Sequence, residues 1–240
     1  MHPSVVECTK SGCKRRRTRA KQAFHIRTLT TSLLLGDTVP NFTQESTDGP
    51  IDLYDFFGDG WGILFSHPAD FTPVCTTELG AVAGLKGQFD KRNTKVIGLS
   101  VDELASHRDW VKDIEDTQNV KLNFPIIADS DQKVANLYSI IQSEDNKMTV
   151  RSVFIIDPEK KLRLTITYPA ATGRNFAEIL RVLDSLQLTD GYKVATPANW
   201  RDGDDVIVLP AVSNEEADEL FPKGYEVVRP YLRTTPQPNK

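Results

Sequence analysis

Cys75 is the residue of this chain best placed to do chemistry. Of three cysteines, the other two, Cys8 and Cys13, lie near the N-terminus. Cys75 ends the stretch Phe65-Ser66-His67-Pro68-Ala69-Asp70-Phe71-Thr72-Pro73-Val74-Cys75 and is followed by Thr76-Thr77-Glu78. Thr72 and Pro73 predict a helix start: a hydroxyl cap, then a proline whose missing N–H would have had no helical partner. Cys75 then falls in the first turn, where free backbone N–H groups and the positive end of the helix dipole favour an anion. Such surroundings favour the thiolate, which can attack carbon, disulfide sulfur or peroxide oxygen.

The neighbours narrow the choice. Thr72 stands where a C-x-x-C motif would have its first sulfur, which argues against ordinary disulfide exchange. A Cys–His pair using His67 stays open, although a lone histidine more often packs or caps. The chain has four histidines; His2 and His25 are N-terminal, and His107 begins a predicted helix. Arg151 leads into Ser152-Val153-Phe154-Ile155-Ile156, a run apolar enough to be buried on both faces. A guanidinium entering such a strand needs an anionic partner to offset desolvation. Glu78, one helical turn after Cys75, lies on the same side of the helix. The expectation is that Glu78 orients Arg151 and that Arg151 stabilises the Cys75 thiolate, with a purely structural Arg151–carboxylate pair as the alternative.

The elements that must hold these residues can be read from pattern. Gly62-Ile63-Leu64-Phe65 reads as a buried strand before the cysteine, and Glu78 to Lys91 as a helix after it. Thr47-Asp48-Gly49-Pro50 is a turn between two short extended pieces, and Ile51 to Phe57 supplies apolar residues to cap the core. Thr94 to Val101 and Asn123 to Ala128 are further strand-like runs. Glu103 to Gln118 is an amphipathic helix carrying Trp110, Val111 and Ile114, and Asp131 to Ile140 a short one. Val150 to Ile156 and Leu162 to Tyr168 form an antiparallel pair across the turn Asp157-Pro158-Glu159-Lys160-Lys161. A long helix, Gly173 to Leu188, closes the body with Phe176, Ile179, Leu180 and Leu183 on one face. Strands alternating with helices and ending in a hairpin indicate an α/β fold with a central mixed sheet flanked by helices. After residue 188, prolines at 197, 210, 222, 230, 236 and 238 punctuate short pieces, with one strand-like run at Val206-Ile207-Val208-Leu209. Three segments follow: an extension at 1–32, a body at 33–188, and a small C-terminal domain or dimerisation arm at 189–240.

A chain of 240 residues with 39% hydrophobic side chains can bury a sizeable core. No apolar run approaches the ~18 residues that span a bilayer, and the first residues lack the apolar core of a secretory signal. Residues 1–32 hold eight Lys/Arg and one acid, leaving 21 basic and 32 acidic side chains beyond them. The acidic body offers no basic patch for nucleic acid. The extension, with Lys14-Arg15-Arg16-Arg17-Thr18-Arg19, reads as a disordered arm, a mitochondrial transit peptide or a nuclear-import patch. Cysteine usage fits a reducing compartment, so a cytoplasmic location is expected, with mitochondrial import through the extension as the main alternative. Cys8 and Cys13 lack histidines at zinc-site spacing, so no metal is expected. A disulfide from either to Cys75 is a lesser option.

The pattern Pro68-x-x-x-Thr72-x-x-Cys75 with a distant Arg151 entering a strand resembles the peroxiredoxin active site. His67 through Leu79, Ala171-Thr172-Gly173-Arg174-Asn175-Phe176 and Ala195-Thr196-Pro197-Ala198-Asn199-Trp200 are similar to the one-cysteine peroxiredoxin-6 branch, from about Leu33 onward. The resemblance implies a thioredoxin-like fold and reduction of hydrogen peroxide and organic hydroperoxides by Cys75, which becomes a sulfenic acid. It also implies that Thr72 and Arg151 hydrogen-bond the thiolate and the peroxide oxygens, that Pro68 shields the sulfur from water, and that Arg174 is a second guanidinium near the pocket. No cysteine follows Cys75, so an external thiol, glutathione foremost, is expected to regenerate the enzyme. A homodimer without metal, haem or flavin is implied. The competing reading is a peroxide sensor or holdase that uses persistent Cys75 oxidation to change partners.

One departure bears on a second activity. Some relatives carry a lipase-like Gly-x-Ser-x-Gly in the loop before the first buried strand, with a histidine and an aspartate. Here the loop reads Gly58-Asp59-Gly60-Trp61-Gly62, with Tyr54 and Glu159 at the apparent histidine and aspartate positions. Nucleophile and base are both missing, so no phospholipase activity is expected by that route.

Overall fold

The structure is a computed structural model and describes residues 33–240. The basic extension, with Cys8 and Cys13, lies outside the described residues. The first paired strands, β1 (Thr43–Gln44) and β2 (Ile51–Asp52), flank the expected turn and lead into a short helix, α1 (Leu53–Phe57). There follow β3 (Trp61–Ser66), α2 (Pro73–Gly84), α3 (Lys86–Asp90), β4 (Thr94–Ser100), α4 (Leu104–Gln118), β5 (Ile126–Ala128) and α5 (Lys133–Leu137). The body is completed by β6 (Arg151–Ile156), β7 (Leu162–Tyr168) and α6 (Phe176–Gly191).

Strands β3 to β7 form one five-stranded sheet in the order β5-β4-β3-β6-β7. β3, β4 and β5 run parallel, while β6 lies antiparallel to both β3 and β7. The mixed sheet thus matches the expectation. Its two faces follow from the two-residue period of a strand. Ile63, Phe65, Val96, Val153 and Ile155 pack under α2, α4 and α6 with Leu79, Trp110 and Leu183. Leu64, Ile97, Leu99, Phe154 and Ile156 pack on the other face against α1 and α5 with Leu53, Phe57 and Val134. Both faces are covered, so β3 and β6 are buried along their whole length.

The expected helix from Glu78 to Lys91 is two helices. α2 begins at Pro73, where the proline ring presets the helical φ, and ends before Leu85, after which α3 makes a separate turn. The last helix of the body, α6, runs to Gly191, past residue 188.

The C-terminal segment builds β8 (Val194–Ala195), β9 (Val206–Val208), α7 (Asn214–Leu220), β10 (Glu226–Arg229) and β11 (Leu232–Thr235). Its four strands form a second sheet, β10-β11-β9-β8. A separate apolar cluster around Trp200, Val206, Val208 and Phe221 supports it. No helix among the described residues is long and apolar enough to cross a membrane.

Candidate active site

The antiparallel register explains how residues 75 and 151, far apart in sequence, come together. Phe65 pairs with Val153, so Arg151 at the start of β6 lies just beyond the end of β3, where the loop to α2 departs. Cys75 sits in the first turn of α2, fully buried. Arg151 Nη1 donates to Cys75 Sγ at 3.2 Å and to Glu78 Oε2 at 2.8 Å. Nε and Nη2 of the same guanidinium both donate to the carbonyl of Ala170, at 2.9 and 2.8 Å. The planar fork is therefore fixed on two sides and directs its third edge at the sulfur.

Arg174, expected as a second guanidinium near the pocket, meets the site through Glu78. Its backbone N–H and Nε donate to Glu78 Oε1 at 2.8 and 3.1 Å, and Nη2 donates to Oε2 at 2.6 Å. Nη1 donates to the carbonyls of Ser66 and Ser152 at 2.8 and 3.2 Å, and the guanidinium lies over the Phe65 ring. Burial pushes the Arg174 pKa down, opposed by Glu78. Arg174 supports Glu78 from behind, joining β3, β6 and α2, and no hydrogen bond links it to Cys75. One buried carboxylate thus serves two buried guanidiniums. A buried anion with this many donors is the arrangement that offsets its own desolvation.

Thr72 occupies the N-cap position with extended backbone, but its hydroxyl makes no capping bond. Instead Thr72 Oγ1 donates to the carbonyl of Ala69 at 2.9 Å. The expected hydroxyl cap is therefore corrected: the single hydroxyl proton is committed to the loop, leaving the oxygen lone pairs as acceptors. Pro68, in the same loop, is buried.

His67 does not pair with Cys75. It is buried, and its Nε2 lies 3.0 Å from Asp70 Oδ1. His107 Nδ1 lies 2.7 Å from Asp70 Oδ2, and His107 Nε2 lies 3.1 Å from the carbonyl of Ile127. Burial alone would raise the Asp70 pKa, but the hydrogen bonds from His107 and His67 outweigh it and hold the carboxyl well below the usual range. Burial pushes the His67 pKa down against the pull of Asp70, so its ring is neutral. With Nε2–H given to Asp70, His67 Nδ1 is left as a buried atom without a partner. These side chains bring ligand-type atoms within 4.8 Å of one another, yet those atoms face each other as donor and acceptor. Sequence reading missed Asp70 and took His107 for a packing or capping residue, because nothing in their spacing joins residues 67, 70 and 107.

A lone cysteine at a helix start, met by a guanidinium and without a C-x-x-C partner, on a thioredoxin-like sheet, defines a thiol-based peroxidase rather than a dithiol oxidoreductase. Comparison with known proteins agrees. Residues 35–165 match the AhpC/TSA family, and residues 185–224 match the C-terminal domain of 1-Cys peroxiredoxin. The chain is 61% identical over 209 residues to a 1-Cys peroxiredoxin of Dictyostelium discoideum, covering 87% of each. It is 53% identical to a mitochondrial peroxiredoxin of Saccharomyces cerevisiae, over 85% of this chain and 80% of that one. Among solved structures, peroxiredoxin 6 of Arenicola marina superposes with a TM-score of 0.83 at 49% identity, covering 87% of this chain and all of the other. A yeast mitochondrial 1-Cys peroxiredoxin, whose structure concerns thiol resolving through the glutathione and thioredoxin systems, superposes with a TM-score of 0.81 at 51% identity over 85% of this chain and 99% of its own. The chain belongs to the AhpC/TSA family, in its 1-Cys peroxiredoxin branch.

Proposed function

We propose that Cys75 is the peroxidatic thiolate and that Arg151, held by Glu78 and Ala170, stabilises it and the peroxide it attacks. The observation that carries this is the shared Arg151 Nη1, 2.8 Å from Glu78 and 3.2 Å from the sulfur. The thiolate attacks one peroxide oxygen, the O–O bond breaks, and the departing oxygen takes up a proton as water or alcohol. Sulfur is oxidised to Cys75–SOH and the peroxide is reduced. Negative charge moves from sulfur to the leaving oxygen, so a fixed guanidinium stabilises both ends of the path. Thr72 Oγ1, its proton given to Ala69, accepts from the O–H of the incoming peroxide. Pro68 excludes water from the sulfur.

Full burial of Cys75 suits a compact oxidant, and means that a reducing thiol reaches the sulfenic acid only after the first turn of α2 opens. The lack of a cysteine after Cys75 supports an external reductant, and the yeast relative's link to glutathione and thioredoxin favours those two. The first thiol forms a mixed disulfide and releases water; a second thiol frees Cys75. Intact-mass spectrometry after peroxide, with and without glutathione, tests this: one added oxygen alone, and a glutathione adduct or return to the starting mass with the thiol. Unchanged peroxide consumption by Cys75→Ser would sink it.

No phospholipase function is assigned. A Cβ at Gly60 would meet the Asn93 carbonyl oxygen at 2.8 Å, Tyr54 OH donates to the carbonyl of Val39, and Glu159 is exposed. Residues 33–188 are taken as the peroxidase body and 189–240 as a dimerisation arm. Tyr231, 74% exposed, with Val227 and Val228 on the β10–β11 hairpin, supports a homodimer, and light scattering tests it. A cytoplasmic location is the first reading; the basic extension and the mitochondrial relative support matrix import as the alternative. A reporter fused to residues 1–32 distinguishes them.

A further inference from the structure

The loop between β3 and α2 is not a conformation it would hold by itself. Phe71, 54% exposed, has φ of 51°, a left-handed conformation that costs a bulky residue about 1–3 kcal/mol. Polar anchors on other elements hold the loop in place. The Asp70 N–H donates to Asp102 Oδ2 at 3.0 Å, and Thr149 Oγ1 donates to the His67 carbonyl at 2.5 Å. The Asp70 carboxylate takes Ser106 Oγ at 2.8 Å and His107 Nδ1 at 2.7 Å, both from α4. Downstream of the loop, Trp110 Nε1 of the same helix donates to Thr76 Oγ1 at 3.1 Å, one residue after the cysteine.

His107 bridges two elements. One ring nitrogen faces a carboxylate oxygen of Asp70 and the other the backbone carbonyl of Ile127. The ring has no exposed surface. The polar side chains around it are Asp70 and His67 from the loop side, the two histidine rings being 6.1 Å apart, and Asp102 from the turn before α4; β5 offers the Ile127 carbonyl.

We propose that His107 is a positioning residue for peroxide reduction: as a buried ring bridging Asp70 and the Ile127 carbonyl, it pins the loop that carries Pro68 and Thr72 against the start of α2. The proposal rests on the peroxidase reading of Cys75. Without the ring, Asp70 keeps Ser106 but loses its other tie to α4, and the link from the loop to β5 is gone.

The test joins two measurements on the full chain. The rate of Cys75 oxidation by hydrogen peroxide is compared between the wild type and His107→Asn, with Cys75→Ser as the reference. Backbone hydrogen exchange of the loop and of the sheet is followed in both proteins at a temperature where each is folded. His107→Asn should react more slowly by about 10- to 100-fold, as expected for a misplaced reacting group, with faster exchange at the Asp70 amide and unchanged exchange in β3 and β6; a residue that only stabilises the fold would loosen the sheet as well. A folded His107→Asn that reacts at the wild-type rate overturns the proposal, as does a wild-type Asp70 amide that exchanges as freely as an exposed one; the second is readable even if the variant does not fold. Peroxide consumption that survives Cys75→Ser refutes the peroxidase reading instead, while the exchange result still reports how the loop is held.

Discussion

Glu78→Gln is the substitution that most directly probes the site. The change is nearly isosteric, yet it removes the one carboxylate that accepts from Arg151 and three times from Arg174. Gln has one acceptor oxygen, so its NH2 must turn toward a guanidinium, donor against donor. Two buried cations then lose their shared anion. Breaking a buried pair costs about 3–5 kcal/mol, and each kcal/mol is worth about 2–4 °C for a chain of this size, so the melting temperature should drop by about 6–20 °C. Arg151 would also lose one of its two supports, and peroxide reduction should slow by about 10²- to 10³-fold at a temperature where the variant is folded. The loss should be coupled to Arg174. In Glu78→Gln/Arg174→Gln one uncompensated cation is gone, and the double variant should lose less stability than the two single changes together by about 1–3 kcal/mol. Calorimetry of the four proteins and stopped-flow peroxide kinetics measure both effects. A Glu78→Gln protein with unchanged melting temperature and unchanged rate would show that the carboxylate neither balances the arginines nor places Arg151.

The other expectations address separate parts of the molecule. Arg151→Ala should leave the protein able to fold but lower peroxide reduction by about 10²- to 10³-fold; a rate within a factor of two of wild type would remove Arg151 from the mechanism. Gly62→Ala places a Cβ 2.4 Å from the Phe57 ring inside the sheet–α1 interface, whereas in Gly80→Ala the Cβ meets the Gln118 side chain at 2.5 Å. Gln118 can swing away and a packed ring cannot, so Gly62→Ala should cost about 1–3 kcal/mol and Gly80→Ala distinctly less; denaturant melts that rank them the other way refute this. Acidification should destabilise the fold through two groups. The folded Asp70 pKa is depressed, so its contribution is complete above the unfolded carboxylate value of about 3.9 and is lost as pH falls below it. The folded His67 pKa is also depressed, so the unfolded chain takes up the proton first and stability declines below about pH 6.5. Asp70→Asn should flatten the lower part of that curve, and an unaltered profile from urea melts would contradict the assignment.

Much of the site was legible in the chain because local rules place it. Thr72-Pro73 set the start of α2 and thereby the turn that holds Cys75, and helical spacing put Glu78 beside it. The apolar run after Arg151 announced a buried strand, and a buried arginine demands an anion. These local facts, with the missing C-x-x-C and the absence of a later cysteine, defined a reactive thiolate without a resolving partner; its peroxide chemistry came from the resemblance of the motif to peroxiredoxins. What spacing cannot show is which acceptor each donor chooses. Thr72 gives its hydroxyl proton to Ala69 rather than capping α2, because the loop turns back at Phe71 and brings that carbonyl within reach. Arg174 stacks on Phe65 and backs Glu78, a placement set by the meeting of β3 and β6. Asp70, His67 and His107 meet only because parallel β3 and β4 bring the loop after one strand beside the helix after the other. The chain alone determined the nucleophile, its helix and its guanidinium, because these depend on near neighbours and burial. The tertiary structure decided how the loop over the sulfur is held, because its anchors lie on separate elements joined only by the sheet.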